Sequence, residues 1–169
     1  VIVGKKPTGT LLIDYLLPAK RLYLLATGTG VAPFLSIVRD PETYEKFEQV
    51  VLIHGVREVK ELAYRDMLET QLRQHEFLGE MVSQQFIYYP TVTREPFVHQ
   101  GRIPNIIESG QVAKDTGLPE LNPAEDRVMI CGSPEMLRDL KALCEKRGFA
   151  EGNTTRPGQF VIERAFADS

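Results

Sequence analysis

A doubly wound, mostly parallel α/β domain of about five strands, flanked by helices, is the fold class this sequence predicts. Two observations carry the prediction. Short, near-continuous apolar runs alternate with helix-like segments, and the first run, Leu22-Tyr23-Leu24-Leu25-Ala26, passes straight into Thr27-Gly28-Thr29-Gly30-Val31-Ala32-Pro33. Strands that are apolar on both faces belong to a parallel sheet covered by helices on each side. A Gly-rich turn between such a strand and a helix presents backbone N–H groups to a phosphate. A packing turn can share this pattern, so the turn is weighed with what accompanies it.

The elements follow in order. Val1-Ile2-Val3 reads as a strand end, Lys6 to Thr10 as a turn, and Leu11 to Leu17 as an apolar stretch broken at Asp14 and closed by Pro18. Residues 1–20 therefore look like the last strand and linker of a preceding unit, and residues 21–169 like the domain itself. Leu22–Ala26 is the first strand. Gly28 and Gly30 lack a Cβ, which permits a sharp turn and close approach of a phosphate. Ala32–Arg39 is a helix with Pro33 in its first turn, where a missing N–H costs nothing. Asp40-Pro41 ends it, because the residue before a proline avoids the α region. Tyr44–Phe47 reads as a short helical turn and Gln49–Gly55 as the second strand. Glu61 to His75 reads as one amphipathic helix, with Leu62, Leu68 and Leu72 on a 3.6-residue period. Gln85–Tyr89 is the third strand, ending at Pro90, and Ile103–Glu108 a short helix. Gln111 to Asp126 reads as a loop containing Gly117, Pro119 and Pro123. Arg127–Cys131 is the fourth strand, Glu135–Arg147 a helix with Gly148 as its C′ residue, and Gln159–Glu163 the last strand.

Composition bounds the function. The 169 residues suffice for a buried core, and 43% hydrophobic with 25% charged residues are ordinary globular values. A net charge of −3 argues against a general nucleic-acid or membrane binder, and no apolar run approaches a membrane span. Cys131 and Cys144 form no CxxC pair or disulfide framework, which suits a reducing compartment such as the cytoplasm. His54, His75 and His99 have no metal-ligand spacing: His54 reads as structural and His99 as solvated. With no initiating methionine, Val1 reads as the continuation of a longer chain.

The chemistry-bearing residues all follow strand ends, where open parallel sheets bind their ligands. After the first strand stand Thr27 to Pro33; after the second, His54-Gly55-Val56-Arg57; after the third, Thr91 to Glu95 and then Gly101-Arg102; after the fourth, Cys131-Gly132-Ser133-Pro134. Glycines, small hydroxyls and arginines gathered at one sheet edge suit a dinucleotide better than they suit packing. A guanidinium offers a planar fork to a phosphate dianion, so Arg94 and Arg102, with Thr93 beside them, argue for a 2′-phosphorylated nucleotide. An NAD site would instead place an acidic residue after the second strand, where this chain has Val56-Arg57. Arg57 itself suits a phosphate contact and a helix-end cap equally. Cys144 reads as core.

The motifs GTGVAP, HGVR, YYPTVTRE followed by GRI, CGSPEML and a tail of the form GFxEG…PGxFVIExAF resemble the pyridine-nucleotide half of bacterial ferredoxin/flavodoxin–NADP⁺ reductases. The likeness runs from about Val1 to the last residue. It implies a ferredoxin reductase-like nucleotide-binding domain taking NADP(H), within a monomeric flavoenzyme whose FAD is bound mainly by an N-terminal barrel. That barrel, with its Arg-x-Tyr-Ser flavin motif, is not in this sequence. The resemblance assigns Thr27, Gly28, Thr29 and Gly30 to the pyrophosphate and nicotinamide ribose, and Arg94 and Arg102 to the adenosine 2′-phosphate. It places Gly132 and Ser133 at the nicotinamide end and Cys131 beside the nicotinamide C4, orienting the ring rather than acting as a nucleophile. Ala165 and Phe166 correspond to a C-terminal extension whose ring stacks on the flavin and gives way to the incoming cofactor. The implied reaction passes hydride between NADPH and FAD, and single electrons to or from ferredoxin or flavodoxin. An NADH-dependent flavin or oxygenase reductase component, and a non-catalytic nucleotide-binding module, remain open alternatives on the sequence alone.

Overall fold

A computed structural model describes residues 12–164 of the chain. The strand end at Val1–Val3, the turn at Lys6–Thr10 and the Ala165–Ser169 tail, with Phe166, lie outside the described residues. Among those described, β1 (Arg21–Thr27), β2 (Gln49–Val56), β3 (Phe86–Val92), β4 (Asp126–Gly132) and β5 (Phe160–Arg164) form one sheet in the order β3-β2-β1-β4-β5. Every adjacent pair is parallel, so the sheet is wholly rather than mostly parallel. From β1 the chain winds outward through β2 to β3, then crosses back to β4 on the other side of β1. The winding direction therefore reverses between β1 and β4, and the crevice at their C-terminal ends is the place such a sheet offers a ligand.

Alternation along β1 divides the core into two layers. Leu22, Leu24 and Ala26 face one layer, packed with Phe34 and Val38 of α1 (Ala32–Val38), Tyr44 of α2 (Pro41–Lys46), Leu68 and Leu72 of the segment before α3, and Val82 of α3 (Gly79–Gln85). Tyr23 and Leu25 face the other, packed with Ile103 and Ile107 of α4 (Ile103–Glu108), Val112 of α5 (Gln111–Thr116) and Leu140 and Cys144 of α6 (Pro134–Lys146). At the N-terminal edge of the sheet, buried Asp126 accepts a hydrogen bond from Arg21 Nε at 2.7 Å, tying the start of β4 to the start of β1. The segment before β1 also lies against the sheet: Arg127 donates to the carbonyls of Leu17 and Pro18, each at 3.0 Å.

Five expectations are corrected. First, Asp40-Pro41 closes α1 and also opens α2, earlier than the Tyr44–Phe47 turn expected there. Asp40 Oδ1 accepts from the Glu42 N–H at 2.9 Å, and Pro41 fills the first turn. Second, Glu61 to His75 is not one continuous helix. A 3₁₀ turn at Val59–Glu61 is capped by Glu58 and Glu61, and Tyr64 then adopts φ 67°. That left-handed residue breaks the helix before it resumes with a π turn at Met67–Gln71 and a 3₁₀ turn at Leu72–Gln74. Leu68 and Leu72 still reach the core, which is why their spacing was visible.

Third, β3 does not stop at Pro90 but runs on to Val92. Proline is tolerated because β3 is an edge strand, bonded to β2 alone. Fourth, the segment read as a loop from Gln111 to Asp126 contains α5. Gly110 at φ 83° and Gly117 at φ 75° bracket it, and Val112 is its only buried residue, too little to create a periodicity. Fifth, His99 is not solvated: its ring stacks on Tyr89 with centroids 3.7 Å apart, and its Nδ1 bonds the Pro90 carbonyl at 3.0 Å.

Candidate nucleotide-binding site

The strand ends singled out by the sequence meet in one cleft of about 1120 Å³ above the point where the winding reverses. Thr27, Gly28 and Thr29 line it from β1 and the turn beyond. Gly55 to Arg57 line it from β2, Thr93 and Arg94 from the end of β3, Gly101 and Arg102 from the entry to α4, and Gly132 to Met136 from the β4–α6 turn.

The turn after β1 is a short 3₁₀ segment, Gly28–Val31, that leads directly into α1. Gly28 is exposed at φ 54°, and Gly30 is buried against β4. A Cβ on Gly30 would overlap the Cys131 carbonyl oxygen and lie 2.7 Å from its carbon, so glycine here is required by close approach to backbone. Gly132 faces Thr27, whose Oγ1 would collide with any side chain there. The same Oγ1 accepts from the Ser133 N–H at 3.4 Å, joining the two turns. Ser133 caps α6 by accepting from the Met136 N–H at 3.4 Å. Beneath the first turn lies His54 of β2, fully buried, with Nε2 2.8 Å from the Gly28 carbonyl.

At the other end of the cleft, backbone pairing continues past β2 and β3. Thr93 N–H donates to the Val56 carbonyl at 3.0 Å and Arg94 N–H to the Arg57 carbonyl at 2.9 Å. Both arginine side chains are thus anchored side by side at the rim and are exposed. Arg102 bonds Asp139 of α6 through Nη2 at 2.9 Å. As for Arg57, it is the main-chain N–H, bonded to Glu61 Oε1 at 3.0 Å, that joins the Glu58–Glu61 cap, while the guanidinium stands at the rim. The N–H groups of Glu58 and Arg57 hold the Glu61 carboxyl below its ordinary pKa. Glu61 and Glu135 make the cleft acidic in places, so its cationic character is concentrated at Arg57, Arg94 and Arg102.

Cys131 stands apart from the other candidates. It is 1% exposed, pairs in register with Ala26 and Glu163, and contributes nothing to the lining of the cleft. Burial, with Glu163 a lesser cause, pushes its thiol up to about 12, and burial does the same to Cys144. A thiol protonated at neutral pH is no nucleophile. Iodoacetamide at pH 8 should accordingly label neither cysteine in the folded chain and both in denaturant; native labelling of Cys131 would contradict the burial.

Tyr64 and Ala63 also line the cleft, and sequence reasoning missed them because they fall inside a segment read as continuous helix. No periodicity signals a left-handed tyrosine. Ala165 and Phe166 lie outside the described residues. Among the described residues no cluster of His, Cys, Asp and Glu could hold a metal ion, and no helix is long and apolar enough to cross a membrane.

A parallel sheet with a glycine-lined crevice at its switch point and three arginines on the rim defines a dinucleotide-type α/β domain. Residues 24–142 match the family model of the oxidoreductase NAD-binding domain, and the chain belongs to that family. It is 56% identical to ferredoxin–NADP reductase A of Sorangium cellulosum over 99% of this chain and 60% of that protein. It is 53% identical to ferredoxin–NADP reductase of Pseudomonas aeruginosa over 99% of this chain and 66% of that protein. In structure it resembles a ferredoxin NADP⁺ reductase from Neisseria gonorrhoeae with bound FAD and NADP. The TM-score is 0.80 at 34% identity, over 94% of this chain and 61% of that one. The chain therefore spans 60% and 66% of the lengths of the two named reductases.

Proposed function

We propose that this chain is the NADP(H)-binding domain of a flavin-dependent ferredoxin or flavodoxin reductase. The observation that carries the reading is a single cleft at the strand ends that is lined by Arg57, Arg94 and Arg102 together with Thr27, Gly28 and Thr29 of the turn after β1. The residues suit the nucleotide. A turn packed so tightly that a Cβ at Gly30 would strike β4 leaves backbone, not side chains, at its surface for a pyrophosphate to approach. Thr93, Arg94 and Arg102 present a hydroxyl and two guanidinium forks to a 2′-phosphate, and Arg57 adds a third cation. Gly132 and Ser133 lie at the nicotinamide end. Cys131, buried at the end of β4 just before Gly132, would help to orient the nicotinamide ring from beneath the surface of the cleft. Ala165 and Phe166 would meet the flavin.

The bound nicotinamide would exchange a hydride with an FAD held mainly by a preceding domain, corresponding to the part of the relatives this chain does not span. The contribution of this chain is to bind and orient. The carrier taking single electrons would be ferredoxin or flavodoxin, as the relatives' names suggest. Those names favour the reductase over a non-catalytic module.

Calorimetric titration with NADP⁺ and NAD⁺ tests the reading. The expected result is tighter binding of NADP⁺ by about tenfold or more, one charge-assisted contact being worth about 1.5–3 kcal/mol. Equal affinities would overturn it and favour an NADH-dependent reductase component.

A further inference from the structure

We propose that His54 is a positioning residue for the nucleotide-binding turn, fixing the Gly28–Thr29 peptide so that the Thr29 N–H faces the cleft. The proposal rests on the nucleotide reading given above. His54 sits in β2 between Ala26 of β1 and Pro90 of β3 and is 0% exposed. Its side chain spans the tip of β1 to reach the Gly28 carbonyl, 2.8 Å from Nε2. A carbonyl oxygen only accepts, so Nε2 carries the proton and Nδ1 is the bare nitrogen.

That bare Nδ1 is buried without a hydrogen-bond partner. An orphaned buried acceptor is unfavourable, and the rest of the strand, Val50-Val51-Leu52-Ile53, shows what such a position ordinarily holds. A leucine would fill the space without that penalty, so what distinguishes the imidazole is the bond its other nitrogen makes. Burial keeps the ring neutral, which favours a single tautomer.

The geometry of the bond reaches the cleft through one peptide plane. In a trans peptide the C=O and the following N–H point in opposite directions. With the Gly28 carbonyl drawn into the interior by His54, the N–H of Thr29 must point outward, and Thr29 lines the cleft. Gly28 supplies the complementary freedom. Nothing lies within 4 Å of a Cβ built there, so it is the φ of 54°, not space, that calls for glycine. His54 and Gly28 are thus the two ends of one device: one allows the peptide to turn over, the other holds it there.

The test compares wild type, His54→Leu and His54→Gln in two ligands. NADP⁺ needs the turn, whereas adenosine 2′-monophosphate has no pyrophosphate and needs only the arginine end. The expected result is that H54L weakens NADP⁺ by about tenfold, the scale of one lost hydrogen bond at a charged group. Adenosine 2′-monophosphate is unaffected, and H54Q, whose amide N–H reaches a similar distance, recovers most of the loss. Wild-type NADP⁺ affinity in H54L, equal losses for both ligands, or a glutamine variant as weak as the leucine one would each overturn the proposal. The tautomer is read separately, by the nitrogen chemical shifts of His54 in the ligand-free chain. Protonated Nε2 supports the proposal and protonated Nδ1 overturns it, whatever the nucleotide does. A wild-type chain with protonated Nε2 that binds neither ligand would instead overturn the nucleotide reading, and with it any positioning for that ligand.

Discussion

Gly30→Ala is expected to destabilise the domain by about 2–3 kcal/mol and to abolish measurable NADP⁺ binding. The cost is that of forcing a methyl group into filled space, and here the obstacle is main chain. The new Cβ would overlap the Cys131 carbonyl oxygen and stand 3.0 Å from the Gly132 nitrogen. A flexible side chain could swing aside, but β4 cannot, because it is bonded to β1 on one side and β5 on the other. Either the turn lifts away from β4 or the sheet opens, and both disperse the N–H groups over which the nucleotide would lie. Gly28→Ala makes a sharp contrast. Its Cβ enters open space and pays only the left-handed backbone cost, about 1–2 kcal/mol. Urea midpoints and NADP⁺ titrations of the two variants check the contrast. A Gly30→Ala chain with wild-type midpoint and affinity would show that the turn does not rest on β4 as described.

The double variant Arg94→Ala/Arg102→Ala should lose NADP⁺ affinity by about a hundredfold or more while its NAD⁺ affinity stays within about twofold. Two charge-assisted phosphate contacts at about 1.5–3 kcal/mol each set that scale. The fold should not register the change. Arg94 is held by its backbone N–H, which alanine keeps, and the Arg102–Asp139 pair is half exposed at both partners. Such a pair is worth under about 1 kcal/mol. Equal losses for the two nucleotides would mean that the arginines shape the cleft rather than read the phosphate. Unchanged NADP⁺ affinity would remove them from the site.

The sequence revealed what is buried on both sides and hid what is buried on one. β1, β2 and β4 announced themselves because two helical layers force nearly every residue of these inner strands to be apolar, and the edge strands β3 and β5 were read from shorter apolar runs. The cleft was legible for a related reason. Most of its residues follow those strands closely, so locating the strand ends located Thr27–Thr29, Arg57, Arg94 and Ser133 as well, with Arg102 farther on at the entry to α4. α3 and α5 left no trace, since six or seven residues with one or two buried positions carry no period. The break at Tyr64 was invisible because tyrosine gives no hint of a left-handed backbone, as a glycine would. His54 could be read only as a strand residue; its partner lies 26 residues away and is a main-chain carbonyl, which no side-chain pattern encodes.

The edge formed by β3 governs how this domain behaves in company. Val92 turns both its N–H and its C=O away from β2, toward His99 and Gly101 at 3.1 Å each, so residues two apart along the strand face outward with it. In that row Pro90 has no N–H to offer and its carbonyl is taken by His99. Phe86 gives its N–H to Val82 and its carbonyl to Arg73. Among the described residues that leaves Tyr88 alone to offer an open pair of backbone groups, and a single residue cannot template a ladder. The outer strand is thereby sealed against a sixth strand from another molecule. A domain whose central strands are among the most apolar sequence it contains is in this way protected from self-association through its β3 edge, by a proline and by backbone and side-chain partners that take up the neighbouring groups.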